Sequence, residues 1–121
     1  MTLLSETVYP RFQTDPTAKE LRDFYTPTDD ERAFVRTLSQ SRRHRLFAML
    51  HLKLLQRLGR FIDLTETPLV IVEYVAKLLS QAMPTAAEMD TYDASATCRR
   101  HLRQLREFRR DRKSTRLNSS H

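Results

Sequence analysis

The stretch RRHRLFAMLHLKLLQRLG, residues 42–59, decides how this chain folds. Large apolar residues recur along it at spacings of three and four, the period of one helix face: Phe47, Leu50, Leu54 and Leu58. Gly59 follows directly, at the position where a helix commonly ends in a left-handed residue. The pattern predicts a helix from about Arg42 to Leu58.

Five polar residues of the same stretch, and the arginine that follows it, lie on the other side of this helix. At a rotation of about 100° per residue they fall within one sector of about 120°. They are Arg42, Arg45, Lys53, Gln56, Arg57 and Arg60. We therefore expect one helix face in the core and the opposite, basic face in solvent.

Signals for the start of a helix recur on both sides of this stretch. The candidate N-caps, in chain order, are Asp15, Thr28, Thr67, Thr85 and Ser95. Thr28 and Thr85 each precede a glutamate by three residues, as in a capping box. The helix after Thr67 should run to about Ala82, although its LVIV run by itself would also suit a buried strand. Since the chain has one glycine and little material for tight hairpins, the sequence predicts an all-α bundle of about five or six helices.

The composition excludes several classes of function. With a single glycine the chain can hold neither a phosphate-cradling P-loop nor a dinucleotide fingerprint, since both need several glycines. One cysteine permits no internal disulfide. The N-terminus lacks the basic and apolar regions of a signal peptide, and the richest apolar run is too short and too charged to span a membrane. We expect an intracellular protein of the cytoplasm, with no membrane partner.

Charged residues are segregated along the chain. Residues 36–60 hold seven bases and no acid, and residues 98–110 hold six arginines against Glu107. Residues 1–35 and 61–97 are acidic in balance, with net charges of −3 and −5. A polyanionic partner explains this segregation better than a uniformly solubilising surface does.

The second basic segment is a candidate groove-binding helix. Ser95 should cap it, and Leu102, Leu105 and Phe108 mark its buried stripe. A short helix after Thr85 precedes it across a tight connection, which is the outline of a helix-turn-helix whose second helix lies in the major groove. The arginines nearest its start are Arg99, Arg100 and Arg103. The alternatives are that these arginines only neutralise phosphates, or that the helix continues as an interdomain connector.

Metal binding and nucleophilic chemistry are weakly indicated. Cys98 and His101 lie one helical turn apart, and two further histidines, His44 and His51, could add ligands. Structural zinc sites usually use several ligand pairs at recognisable spacing, whereas here one pair exists among arginines. The position of Cys98 among leucines suits a small core residue better than a reactive thiol. The sequence therefore predicts no metal, no cofactor and no catalytic site.

Four stretches, in order, resemble the N-terminal domain of Tn-three-type replicative transposases of bacteria. They are RFQTDPTAKELRDFYTPTDDERAFV, RHRLFAMLHLKLLQRLGRF, PLVIVEYVAKLL and YDASATCRRHLRQLREF. The QRLGRF block after an apolar helix and the later RRH are the most specific parts. The resemblance implies an all-helical module that helps to hold the terminal inverted repeats of a transposon. It also implies that phosphoryl transfer belongs to a separate C-terminal domain with three acidic metal ligands, which have no counterpart here.

The last eleven residues, DRKSTRLNSSH, do not resemble the chain before them. Under the standard code they can be read back as a widely used sequencing adapter, and Leu117 is their only large apolar side chain. We expect residues 111–121 to be an adapter-derived, disordered tail. Residues 1–110 are then expected to be the truncated front of a longer protein.

Together these patterns predict a module that binds double-stranded DNA at transposon ends and is not itself an enzyme. The candidate contacts are Arg42, Arg43, Arg45, Lys53, Arg57, Arg60, Arg99, Arg100, Arg103 and Arg106. The rival hypothesis is a helical protein-protein interaction module, whose acidic and basic segments pair with one another or with a second protein.

Overall fold

The computed structural model describes the backbone of residues 16–119 and the side chains of residues 16–111. Six α-helices and no β-strand lie within that part of the chain. They are α1 (Ala18–Tyr25), α2 (Asp29–Leu38), α3 (Arg42–Leu58), α4 (Leu69–Leu78), α5 (Ala86–Asp93) and α6 (Ala96–Ser119), with a 3-10 turn at Leu64–Glu66. The predicted all-α bundle is confirmed.

Side-chain caps fix where most of these helices begin. The Thr28 hydroxyl accepts the Glu31 N–H at 3.2 Å, and the Glu31 carboxylate accepts the Thr28 N–H at 2.9 Å. Thr85 and Glu88 form the same reciprocal pair at α5. Both predicted capping boxes are confirmed, and Ser95 caps α6 as expected. Each such cap stabilises a helix by about 1 kcal/mol because it satisfies an N–H that has no partner inside the helix.

The first helix is capped at a different residue from the one predicted. Thr17 caps α1 and forms a capping box with Glu20. The predicted cap, Asp15, lies outside the described residues. A threonine followed three residues later by a glutamate makes two bonds, one more than a lone aspartate cap. The helix ends at Tyr25, before Pro27, as predicted.

Helix α4 is shorter than predicted. It ends at Leu78 rather than near Ala82, and Ser80 takes a left-handed backbone conformation with φ of 59°. Arg32 donates to the Leu78 carbonyl at 3.4 Å, and Arg42 donates to the Ser80 carbonyl at 3.3 Å. The Arg32 side chain therefore satisfies the Leu78 carbonyl, which a helix continued to Ala82 would have bonded to the Ala82 N–H. The LVIV run is helical, as predicted.

Helix α3 forms the centre of the bundle. It contacts each of the other five described helices, and every residue from Leu46 to Leu55 is buried. A helix packed on one side buries only a stripe. The description of α3 as one apolar face opposite one basic face is therefore wrong. Its predicted bounds are confirmed, and Gly59 ends it with φ of 80°.

Helix α6 packs along α3 with only its inner face buried. Cys98, His101 and Leu105 are buried on that face, and the Phe108 ring stacks on Phe34 of α2 at 4.2 Å between centroids. The backbone of α6 continues as helix to Ser119, past the predicted boundary at Arg110. That residues 111–121 come from an adapter stays a prediction.

Candidate nucleic-acid interface

The outer face of α6 carries a straight row of exposed arginines, which we call the arginine ridge: Arg99, Arg103, Arg106 and Arg110. Their spacing of four, three and four places them within a sector of about 60° on the helix. The row is about 16 Å long at 1.5 Å of rise per residue. Arg100 is also exposed and flanks the ridge, and Glu107 is the one acid between residues 96 and 110.

Aromatic rings contact one guanidinium group of the arginine ridge and another at the C-terminal end of α3. The Arg106 guanidinium lies 5.3 Å from the centroid of the Phe61 ring. Arg57 lies 4.0 Å from the centroid of Phe24, an exposed ring on α1. A guanidinium stacked on a ring keeps its edge N–H groups free to bind a planar anion. Arg60 is exposed nearby in the sequence, so both predicted contacts at this end of α3 remain at the surface.

The N-terminal end of α3 helps to form a cleft of about 200 Å³, which we call the arginine cleft. Four arginines line it, together with apolar residues and the turn after α4: Arg32, Arg36, Arg42 and Arg45. None of its lining residues is acidic. The cleft therefore has a positive potential that suits an anionic group.

Backbone carbonyl groups orient the arginines of the cleft. Arg32 and Arg42 bond to the end of α4, and the Arg45 Nε donates to the Ser39 carbonyl at 2.7 Å. A guanidinium has five N–H donors, so one such bond fixes its position and leaves other donors for a ligand. Arg42 and Arg45 were predicted contacts, whereas Arg32 and Arg36 were not. The net charge of each segment did not indicate Arg32 as a candidate contact, because Arg32 lies within an acidic segment.

Two predicted contacts of α3 are occupied within the fold. Lys53 is only 4% exposed, and its Nζ lies 2.6 Å from Oε1 of Glu31, which is also 4% exposed. The Gln56 amide donates to the other oxygen of Glu31 at 2.6 Å. Burial raises the pKa of Glu31, but the bonds from Gln56 and Lys53 outweigh it and leave that pKa below its ordinary value. Lys53 is therefore buried, and the prediction that it lies on an exposed basic face is wrong.

Arg43 is also paired, although it stays near the surface. Its guanidinium lies 3.0 Å from Glu88 of α5 and donates to the Ala82 carbonyl at 2.9 Å. Sequence reasoning found no acid near Arg43 because the partner lies 45 residues further along the chain. This arginine connects α3 to the start of α5, and its role in the fold is structural.

A short helix directly precedes α6, as expected, and the assignment of the pair as a helix-turn-helix stays a prediction. Helix α5 ends at Asp93 and α6 begins at Ala96, with two residues between them. Arg99 and Arg100 lie near the start of α6 and are exposed, and the N-terminal part of a recognition helix is the part that contacts base edges. The reading of bases by this helix stays a prediction.

No helix in the described part of the chain is both long and apolar enough to cross a bilayer.

Comparisons with known proteins give one family. No curated protein and no solved structure gives a significant match. A family model described as a domain of unknown function, DUF4158, matches residues 2–118, which is nearly the whole sequence. The chain therefore belongs to the DUF4158 family.

Proposed function

We propose that this domain binds double-stranded DNA through the arginine ridge of α6, as the N-terminal module of a bacterial replicative transposase that holds transposon ends. The arginine ridge carries this proposal, because four exposed guanidinium groups lie in one row. DNA presents about one negative charge per 1.7 Å of helix axis, so a row of about 16 Å can meet several phosphates at once. Arginine forks bind phosphate oxygens in pairs, which fixes the protein on the duplex.

The arginine cleft supports the same proposal. Its volume of about 200 Å³ is large enough to accept a backbone phosphate with its flanking sugar atoms. The cleft and the ridge belong to different helices, and a duplex that engages both would be held at two points. Phosphate contacts position the protein and carry no sequence information, so reading of the transposon end would depend on Arg99 and Arg100 at the start of α6.

A fluorescence titration with labelled transposon-end DNA over a range of salt concentrations tests this proposal. If five or six phosphates are neutralised, log K against log salt should have a slope of about −4 to −5. A slope near zero would reject DNA binding by this domain.

The double variant Arg103→Ala with Arg110→Ala locates the phosphate contact, since both arginines are exposed members of the ridge. We expect its slope to be less steep by about 1.8, since each lost phosphate contact removes about 0.9. The matched control is Lys77→Ala, because Lys77 is an exposed cation on α4 with a side chain that is 75% accessible. Equal slopes for the double variant and the parent protein would place the contact elsewhere.

Competition with a scrambled duplex of the same length separates reading of bases from capture of phosphates. Loss of a base contact at Arg99 or Arg100 should reduce the preference for the transposon end by about 1 to 3 kcal/mol. Loss of a phosphate contact should weaken both duplexes equally. If every variant of the ridge weakens binding of both duplexes equally, α6 contacts phosphates and does not read bases.

A second function, protein-protein interaction, is favoured by one observation. The Lys53–Glu31 and Arg43–Glu88 pairs join basic and acidic segments of the same chain, as the rival hypothesis predicts. Charge reversal at the half-buried Arg45 and the exposed Arg57 separates the two functions. It should perturb self-association in sedimentation if the domain is an interaction module, and weaken the gel shift of DNA if it is a DNA-binding module.

A further inference from the structure

Three side chains that can bind a metal ion meet where α3, α5 and α6 come together. They are His51 of α3, Asp93 at the end of α5 and Cys98 in the first turn of α6. His51 and Cys98 are each 2% exposed, and the side chain of Asp93 is 11% exposed. The cluster therefore lies just beneath the surface, with Asp93 on its solvent side.

The two distances from His51 to the other ligand atoms are close to those found around a single ion. The Nε2 of His51 lies 3.0 Å from Oδ1 of Asp93 and 3.9 Å from Sγ of Cys98, and all three atoms lie within 4.8 Å of one another. Bonds to tetrahedral zinc are about 2.0 to 2.3 Å long, which places neighbouring ligand atoms about 3.4 to 3.6 Å apart. Adjustments of a few tenths of an ångström would bring the His51 contacts to that geometry.

The same geometry excludes a catalytic relay. In a nucleophile-histidine-carboxylate relay the two partners use opposite nitrogens of the ring. Here the carboxylate and the thiol both face Nε2 of His51. Burial, followed by the neighbouring Asp93, raises the pKa of Cys98 to about 11, so the unliganded thiol is a poor nucleophile.

A second contact already orients the carboxylate. The backbone N–H of Leu64 donates to Oδ2 of Asp93 at 2.7 Å and leaves Oδ1 directed at the cluster. Partners of this kind outside the ligand shell fix the direction of a metal ligand. His101, which the sequence placed beside Cys98, is engaged elsewhere, because its Nδ1 lies 2.7 Å from the Tyr92 hydroxyl.

Charge balance selects the kind of ion. A thiolate, a carboxylate and a neutral imidazole carry two negative charges, which a divalent cation neutralises. A buried neutral site avoids the large cost of an unpaired charge. Mixed sulfur, nitrogen and oxygen ligands suit zinc better than the hard ions magnesium and calcium, which take oxygen ligands.

We propose that His51, Asp93 and Cys98 form a zinc site with a fourth position open to water. The ion would join three helices at the start of α6 and so fix the direction of the arginine ridge. Binding requires loss of the thiol proton, so affinity should rise with pH. The inference does not depend on DNA binding.

Cobalt titration of the full chain, stripped of metal, tests the proposal directly. Because Cys98 is the only cysteine, a sulfur-to-cobalt charge-transfer band at one-to-one stoichiometry identifies it as a ligand. We expect that band together with the visible bands of tetrahedral cobalt, and zinc should displace both. Absence of the charge-transfer band at saturating cobalt would overturn the site, whatever the behaviour of the variants.

Two variants give an independent test by zinc competition. Cys98→Ser and Asp93→Asn should each weaken zinc binding by about 100-fold or more, since loss of an outer-shell partner alone costs 10- to 100-fold. Asp93→Asn keeps an oxygen that can accept the Leu64 N–H, which protects the fold. Asp90→Asn, at an exposed aspartate on the same helix, is the matched control and should bind as the parent does. Unchanged affinity in Asp93→Asn and Cys98→Ser would show binding elsewhere on the chain and overturn the proposal.

Discussion

Helices α3 and α6 have similar sequences in one respect, because each combines apolar residues at helical spacing with a run of bases. Their basic residues differ in exposure and in pairing with acids. In α3, Lys53 is buried against Glu31 and Arg43 is paired with Glu88. In α6, the four arginines of the ridge stay exposed. The comparison shows that position in the bundle, and not the pattern of residues, decides whether a base is available to a partner.

The physical cause is the number of neighbours around each helix. Helix α3 is surrounded, so acids from other segments reach its polar side chains, and the central ones must be paired to be buried. Helix α6 lies at the edge and buries one face, so its outer side chains stay in water. Interpreting both helices as basic faces overestimates how many exposed cations α3 presents.

Replacement of Lys53 should produce the largest loss of stability. Lys53→Met keeps most of the buried stem but leaves the Glu31 carboxylate buried without its cation, which costs about 3 to 5 kcal/mol. Urea unfolding followed by circular dichroism measures the change. Lys77→Met, at an exposed lysine of α4, is the control and should change the free energy of unfolding by less than about 0.5 kcal/mol. A change below 1 kcal/mol for Lys53→Met would contradict the buried pair.

Lowering the pH should destabilise the folded domain through His101, which is buried on the inner face of α6. Burial, then Arg100 and His44, holds the pKa of His101 below the ordinary value of 6.5. The unfolded chain therefore takes up a proton near pH 6.5 while the folded chain does not, and the free energy of unfolding should fall as the pH drops below 6.5. The variant His101→Gln, which keeps a polar group near the Tyr92 hydroxyl, should lose this part of the pH dependence. Parallel curves of melting temperature against pH for the two proteins would show that His101 contributes nothing.

The local features of the fold could be predicted from the sequence. Both capping boxes, the bounds of α3 and the left-handed Gly59 depend on residues within four positions of one another. The pairing of Lys53 with Glu31 could not be predicted in the same way. It joins residues 22 positions apart, and their approach depends on how α2 packs on α3.

The candidate sites divide along the same line. The arginine ridge depends only on the spacing of residues within one helix, so it could be predicted from the sequence. The arginine cleft combines Arg32 and Arg36 of α2 with Arg42 and Arg45 of α3 around the end of α4. The cluster of His51, Asp93 and Cys98 likewise comes from three helices, and proximity in sequence favoured His101 instead. Such sites depend on how helices pack together, which the spacing of residues within one helix does not predict.

A pair of single variants sharpens the contrast between the two helices. Arg43→Ala should lower the melting temperature by a few degrees, because it removes the bond to the Ala82 carbonyl and the contact with Glu88. It should leave the salt slope of DNA binding unchanged. Arg103→Ala should do the reverse, with an unchanged melting temperature and a slope less steep by about 0.9. If Arg43→Ala also reduces the slope, the arginine is not committed to its intramolecular partners.

The smallest effect should come from the residue that ends α3. Gly59 has φ of 80°, and a Cβ built on it would meet no atom within 4 Å. Gly59→Ala therefore costs only the backbone strain of a left-handed alanine, about 1 kcal/mol, without a steric clash. Gly59→Asn should cost less, since asparagine tolerates this conformation better than alanine does. Equal free energies of unfolding for the asparagine and alanine variants would contradict a strain-based role, and a loss well above 2 kcal/mol would indicate a contact that the open surroundings of Gly59 do not provide.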